Sequence, residues 1–246
     1  MELESIISRV TQEVLCQLNG GTAALTPKKV ISSIEHSLLN PDQTRDSVAK
    51  GCEDALKYGF ANVVITPYYV PMAADMLKGS GVGVCTAVGF PHAAASTAAK
   101  LAEIEQGLIN GATEFDICPS YVAMKSGEYD FVAKEIEMML AAVRGKAFSK
   151  IIYEQGLFND SEKQILLKII KNSGAPGVKI ANTLTGKKAL EEDVKFVRSI
   201  VGEDIAVKID GGIRTYERAC QILSSGATRI GLSASVAVAK EALGEK

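Results

Sequence analysis

Histidine is nearly absent from this 246-residue chain, with His36 and His92 the only two. Catalytic zinc normally takes two or three His or Cys ligands, often at helical spacing, and nothing here supplies them. No metal site is expected, and oxygen-ligated Mg²⁺ is the one metal option left open. The cysteines Cys16, Cys52, Cys85, Cys118 and Cys220 lie far apart with no C-x-x-C pair. Such a scattered, odd-numbered set reads as free thiols in a reducing cytoplasm, not as a disulfide framework. Neither charge sign is in excess: 27 basic residues against 29 acidic ones leave −2. Nucleic acid and anionic membranes therefore have no electrostatic claim as main partners. No apolar run approaches the ~18 residues of a membrane span, and the start, Met1-Glu2-Leu3-Glu4, is unlike a secretory signal. There is also no low-complexity segment, no linker, and no G-x-G-x-x-G after an early strand.

What remains is an ordinary globular composition, 47% apolar and 23% charged, which can bury enough surface to exclude disorder. At ~150 residues per domain the length allows one large or two small domains. The missing linker favours one, over 1–246. Short β-branched runs alternate with amphipathic stretches. Strands are expected at 33–38, 61–66, 82–88, 113–117, 150–154, 177–181, 206–209 and 229–232. Helices are expected at 44–58, 71–77, 96–110, 129–144, 161–172, 190–200 and 215–223, with one more at the C-terminal end. Thr44 and Gly59 bracket the first of these, and Ser161 with Gln164 resembles a capping box.

Eight such units in about 250 residues predict an α/β fold, a single TIM (β/α)8 barrel, over a doubly wound open sheet. An extra N-terminal helix is expected at 3–18, within residues 1–20 outside the repeat and closed by Gly20-Gly21. Its apolar residues Ile6, Ile7, Val10, Val14 and Leu15 suit either capping the barrel bottom or meeting a partner, so a homodimer stays open.

Active sites of such barrels sit at the C-terminal ends of the strands, so ionisable residues inside strand runs are informative. Asp116 lies in Glu114-Phe115-Asp116-Ile117, Lys179 in Gly177-Val178-Lys179-Ile180, and Lys208 in Ala206-Val207-Lys208-Ile209. Lysine is almost never fully buried alone, and two on successive strands point into the barrel mouth together. Two ammonium groups ~4 Å apart repel by about 4 kcal/mol at an effective dielectric of 20. That is enough to bring one lysine from its ordinary ~10.4 to near 7. The neutral amine could attack a carbonyl and form a Schiff base, an electron sink for breaking the adjacent C–C bond. Asp116 would then move protons, directly or through a water. Charge physics alone leaves open which lysine is the nucleophile.

Two further loops suggest phosphate binding: Asp210-Gly211-Gly212-Ile213-Arg214-Thr215 and Gly231-Leu232-Ser233-Ala234-Ser235. They follow the seventh and eighth strands, where barrel enzymes often hold phosphate on backbone N–H groups and a helix N-terminus. Glu35 and His36 are read as following the first strand and lining the site, with a structural hydrogen bond the commoner role for such a lone histidine. Glu154 is a candidate partner for one lysine, whereas Lys146 and Lys187-Lys188 read as solvated surface.

These residues resemble the deoxyribose-phosphate aldolase family over nearly the whole chain after the first ~30 residues. The matching stretches include Thr66-Pro67-Tyr68-Tyr69-Val70, Gly89-Phe90-Pro91-His92, Glu114-Phe115-Asp116, Lys150-Ile151-Ile152-Tyr153-Glu154, Val178-Lys179 and Val207-Lys208. Gly211-Gly212-Ile213-Arg214-Thr215 completes the ordered set. The resemblance implies that Lys179 forms the Schiff base, Lys208 perturbs it and assists proton transfer, and Asp116 donates and accepts protons. It implies reversible cleavage of 2-deoxyribose 5-phosphate to acetaldehyde and glyceraldehyde 3-phosphate, without a cofactor, in the cytoplasm. Substrate-reading positions depart from the family pattern. Ile180-Ala181-Asn182-Thr183 follows Lys179 where Thr-Ser-Thr-Gly is usual, so Thr183 stands where a glycine would offer its backbone to phosphate. Asp210 precedes Gly-Gly where a small residue is usual, and Glu35 replaces an Asp. The same imine chemistry on a different sugar, or a non-catalytic phosphosugar-binding barrel, are the alternatives. The two strand lysines speak against the second.

Overall fold

Turn chemistry sets the punctuation of the repeat. In the computed structural model, residues 25–245 are described; the helix expected at 3–18, with its Gly20-Gly21 stop and Cys16, lies outside them. The strands are β1 (Ile34–Leu38), β2 (Asn62–Ile65), β3 (Gly83–Val88), β4 (Glu114–Ile117), β5 (Phe148–Glu154), β6 (Gly177–Ala181), β7 (Ala206–Asp210) and β8 (Arg229–Leu232). All pair in parallel, in chain order, and β8 closes onto β1 through Ile34↔Ile230 and Glu35↔Gly231.

The helices are α1 (Pro27–Ile31), α2 (Arg45–Tyr58), α3 (Val70–Leu77), α4 (Thr97–Ile109), α5 (Tyr121–Lys125), α6 (Tyr129–Val143), α7 (Asp160–Asn172), α8 (Glu191–Val201), α9 (Tyr216–Ser224) and α10 (Ser235–Leu243). This is the expected (β/α)8 barrel. Among the described residues no helix is long and apolar enough to cross a membrane.

Strand side chains alternate between the two faces of a sheet, and here the alternation separates two kinds of chemistry. One parity is mostly apolar and buried under the helices: Val63, Val84, Phe115, Ile151, Val178, Val207, Ile209 and Ile230, with His36, Thr86 and Ser149 among them. Both faces of a parallel sheet are covered, so these runs read as near-continuous hydrophobic stretches. The other parity faces the barrel interior and carries Glu35, Asp116, Lys150, Lys179 and Lys208, all buried. Long side chains need neighbours without any. A Cβ at Gly177 would stand 2.6 Å from Lys150 Cγ, and one at Gly231 would overlap the Asp210 carboxylate.

Helix α2 shows the cap logic. Thr44 accepts from the Ser47 backbone N–H while Ser47 accepts from that of Thr44, and Gly59 ends the helix at φ 73°. That left-handed conformation is the one glycine adopts without a Cβ penalty. The capping box expected from Ser161 and Gln164 forms instead two residues earlier. Asn159 Oδ1 accepts from Glu162 N at 2.9 Å, and the Glu162 carboxylate accepts from Asn159 N at 2.8 Å. Asn caps as well as Ser, and a glutamate at the third position suits the N-terminal dipole. Helices α1 and α5 were not expected, because five residues carry no periodic signal.

Replacing Thr44 with alanine removes one side of the α2 box and should lower unfolding free energy by about 1 kcal/mol. Urea denaturation followed by far-UV circular dichroism measures this directly.

Candidate active site

The three predicted residues meet inside the barrel. Lys179 and Lys208 are register partners on β6 and β7, and Asp116 Oδ2 lies 3.0 Å from Lys179 Nζ and 2.8 Å from Lys208 Nζ. Lys208 also donates to Glu35 Oε2 at 2.6 Å, and Lys179 Nζ lies 2.8 Å from Asp210 Oδ2. A third lysine joins them. Lys150 Nζ is 2.7 Å from Glu114 Oε2, 3.3 Å from Glu35 Oε1 and 3.2 Å from Asp116 Oδ1. Asp116 thus touches three ammonium groups.

Lys150 and Glu114 were missed as site residues, although the signal was the one that found Lys179: a charge of inward parity within an apolar strand run. Glu35 and His36 lie within β1, not after it. They take opposite faces, Glu35 entering the cluster while His36 Nδ1 lies 2.9 Å from Ser235 Oγ. His36 is the structural hydrogen-bonder expected, and burial keeps its pKa low.

The repulsion expected to bring one lysine near 7 does not prevail. Burial pulls the Lys179 ammonium down, but Asp116 and Asp210 outweigh it and hold the group above its ordinary value, against Lys208. Burial acts likewise on Lys208, which Asp116, Asp210 and Glu35 hold well above the usual lysine range. For Asp116, burial pushes the carboxyl up, while Lys150, Lys179 and Lys208 together hold it well below the usual carboxylate range. The sequence reading weighed the lysines against each other and did not count the carboxylates.

Cysteine offers no competing nucleophile here. Burial pushes the Cys118 thiol, beyond the end of β4, up to about 12. Glu35, Cys85 and Glu114 place ligand atoms within 4.8 Å of one another. Lys150 already contacts both carboxylates, so a cation could bind there only by displacing that ammonium.

The predicted phosphate positions Thr183, Gly211, Gly212 and Ser233 lie in the loops after β6, β7 and β8 at the C-terminal end of the barrel. Gly211 and Gly212 have φ of 137° and 64°, and a Cβ at Gly211 would meet Ala189 N at 3.0 Å. Ser233 and Thr183 are exposed. Two expectations change in detail. Glu154 does not pair with a lysine; it accepts the backbone N–H groups of Thr183 and Leu184, both at 3.2 Å. The Thr183 N–H is thereby committed, leaving its hydroxyl. Gly231 lies within β8 opposite Asp210, where the missing side chain accommodates that carboxylate. His92 is exposed, whereas its neighbour Phe90 places its ring centroid 5.7 Å from Lys179 Nζ.

An amine, a carboxylate bridging it to a second ammonium, and a rim of glycines and hydroxyls together suit nucleophilic addition to the carbonyl of an anionic substrate. No family model matches the chain. It is 41% identical over 211 residues to a deoxyribose-phosphate aldolase of Clostridium kluyveri, covering 86% of this chain and 97% of that one. To the same-named protein of Caldanaerobacter subterraneus it is 42% identical over 214 residues, covering 86% and 93%. Among solved structures, the aldolase QR15 superposes with a TM-score of 0.83 at 30% identity, covering 87% of this chain and 96% of that one. The tetrameric deoxyribose phosphate aldolase of Aeropyrum pernix gives a TM-score of 0.81 at 28% identity, covering 95% and 96%.

Replacing Lys150 with methionine leaves Glu35, Glu114 and Asp116 short of a buried counter-charge and should destabilise the fold by about 3–5 kcal/mol at neutral pH. In the wild type, the depressed Asp116 contributes stability that is complete above about pH 4 and lost as pH falls through its folded value. The raised Lys208 contributes stability that is complete below about pH 10.4 and lost as pH rises through its folded value. Urea denaturation across the pH range should therefore show a plateau between these limits, with losses on both sides.

Proposed function

This chain belongs to the deoxyribose-phosphate aldolase family, and from that premise we propose that it cleaves 2-deoxyribose 5-phosphate reversibly to acetaldehyde and glyceraldehyde 3-phosphate, with Lys179 forming the Schiff base. The observation that carries the reading is the Asp116 carboxylate held between Lys179 and Lys208 at 3.0 and 2.8 Å. A residue that must take a proton and return it stands in contact with both the nucleophile and a proton-bearing neighbour.

Unprotonated Lys179 adds to the C1 aldehyde of the open-chain sugar, and loss of water leaves a protonated imine. The imine withdraws the C2–C3 bonding electrons as the C3 hydroxyl gives up its proton to Asp116, directly or through a water. Glyceraldehyde 3-phosphate leaves, C2 of the enamine is reprotonated, and hydrolysis releases acetaldehyde. Lys208 keeps Asp116 oriented and supplies the cationic field in which charge moves. Gly211 and Gly212 offer backbone N–H groups to the phosphate, with the hydroxyls of Ser233 and Thr183 at the same rim and Gly231 beneath them.

One feature favours a second substrate for the same chemistry. The Asp210 carboxylate, 21% exposed at the mouth, repels a phosphate and can accept hydrogen bonds from a hydroxyl, which suits a more hydroxylated or unphosphorylated sugar.

Borohydride treatment in the presence of 2-deoxyribose 5-phosphate, followed by peptide mass spectrometry, should place a stable adduct on Lys179. Lys179→Ala should give no adduct there and background activity. An adduct obtained only with an unphosphorylated or more hydroxylated sugar selects the second reading, and no adduct on any lysine with any sugar removes both.

A further inference from the structure

Lys179 is gripped by two carboxylates that differ in kind. Asp116 is buried and shared among Lys150, Lys179 and Lys208, so its charge is already committed. Asp210 lies 2.8 Å from Lys179, while Lys208 Nζ stands 3.9 Å from its other oxygen. That oxygen, Oδ1, makes no hydrogen bond among the described residues. The carboxylate also fills the space left by Gly231 on the neighbouring strand. It is a second counter-ion to Lys179, nearer to it than to Lys208.

We infer that Asp210 is a positioning residue that keeps Lys179 protonated in the empty enzyme and thereby sets the pH below which imine formation slows. This rests on Lys179 being the Schiff-base lysine. The other groups facing Lys179 are Asp116 and Cys118 from β4 and the loop beyond it, and Glu154 from β5. Lys208 faces it from β7 and Phe90 from the loop after β3. Cys118 is neutral near pH 7, since burial raises it to about 12. Glu154 is turned to backbone N–H groups. Glu35 engages the other two lysines. Asp210 is therefore the carboxylate whose removal changes the field at Lys179 while leaving the Asp116 contacts in place.

The balance of the step shows what Asp210 does. The ammonium loses a proton to solvent, and the neutral nitrogen adds to the aldehyde carbon. The former carbonyl oxygen gains one proton from solvent and a second from the adding nitrogen, and departs as water. The resulting C=N nitrogen keeps one hydrogen and a positive charge. Ammonium plus aldehyde thus becomes iminium plus water, with one positive charge at each end. Asp210 pairs with that charge at both ends and opposes only the neutral amine and carbinolamine between them. It slows imine formation at low pH with little effect on the final extent.

The test follows cyanoborohydride trapping of acetaldehyde on Lys179 by peptide mass spectrometry, from about pH 5 to about pH 10, in wild type, Asp210→Asn and Asp210→Ala. Acetaldehyde carries no phosphate, so any effect of Asp210 on phosphate binding stays out of the readout. The acid limb of the rate profile should move down by about one pH unit or more in both variants, which is about tenfold faster trapping at a fixed pH on that limb. The isosteric Asn variant keeps the test open should the Ala variant melt early. A limb that stays in place or moves upward overturns the inference. Absence of a Lys179 adduct in the wild type at every pH instead overturns the assignment of Lys179 on which it rests.

Discussion

Asp116 has ammonium groups at 2.8, 3.0 and 3.2 Å and no exposure to solvent, and the interior of the barrel is arranged around that fact. A buried carboxylate beside three cations stays ionised, and three cations around one carboxylate still need further anions. Glu35, Glu114 and Asp210 supply them from β1, β4 and β7. The cluster is held by closure of the barrel, since Glu35 reaches it only because β1 pairs with β8. Buried charges of this sort do little for net stability, because desolvation offsets much of the attraction. In the proposed mechanism they hold the reacting groups in a fixed field that does not reorganise during the reaction.

Much of this was legible in the chain, and the reasons differ by residue. The eight units follow from runs such as Ala206-Val207-Lys208-Ile209, and caps such as Thr44 and Gly59 bound the helices where expected. Lys179 and Lys208 stood out because each lies between β-branched neighbours on successive strands, and Asp116 because it lies within an apolar strand run. Lys150 carried the same signal but opened its expected strand, where a lysine reads as solvent-facing. Glu35 lies in the expected first strand, but the sequence does not show that its face turns to the lysines of β5 and β7. The sign of the lysine shifts was not legible at all. It depends on which carboxylates the closed barrel brings close, and Asp210 is far in sequence from Lys179, as Glu35 is from Lys208.

The glycine-rich loops show a different limit. Gly211-Gly212 and Gly231 look alike as text, yet they answer different constraints. Gly211 combines a positive φ with close backbone neighbours, whereas Gly231 is a strand residue whose absent side chain makes room for Asp210. Thr183 is similar: its N–H looks free in sequence and is taken by Glu154 in the fold. A backbone donor is available only if nothing nearer accepts from it.

The strict alternation along the strands has a consequence for how such a barrel can change. The helices grip only the outward residues, such as Val63, Phe115, Val178 and Val207, and the charges occupy only the inward ones. The two sets share a backbone but point to opposite faces of the sheet, so they can diverge separately. Helix packing can be retuned without disturbing the reacting groups. Conversely, the whole charged interior could give way to apolar residues of matching volume, leaving a barrel at least as stable and chemically silent. Removing a single fully buried ion such as Lys150 leaves its carboxylates without a counter-charge and is costly, whereas replacing the cluster as a whole is tolerable. New chemistry in this scaffold is thus reached by replacing inward residues as a set.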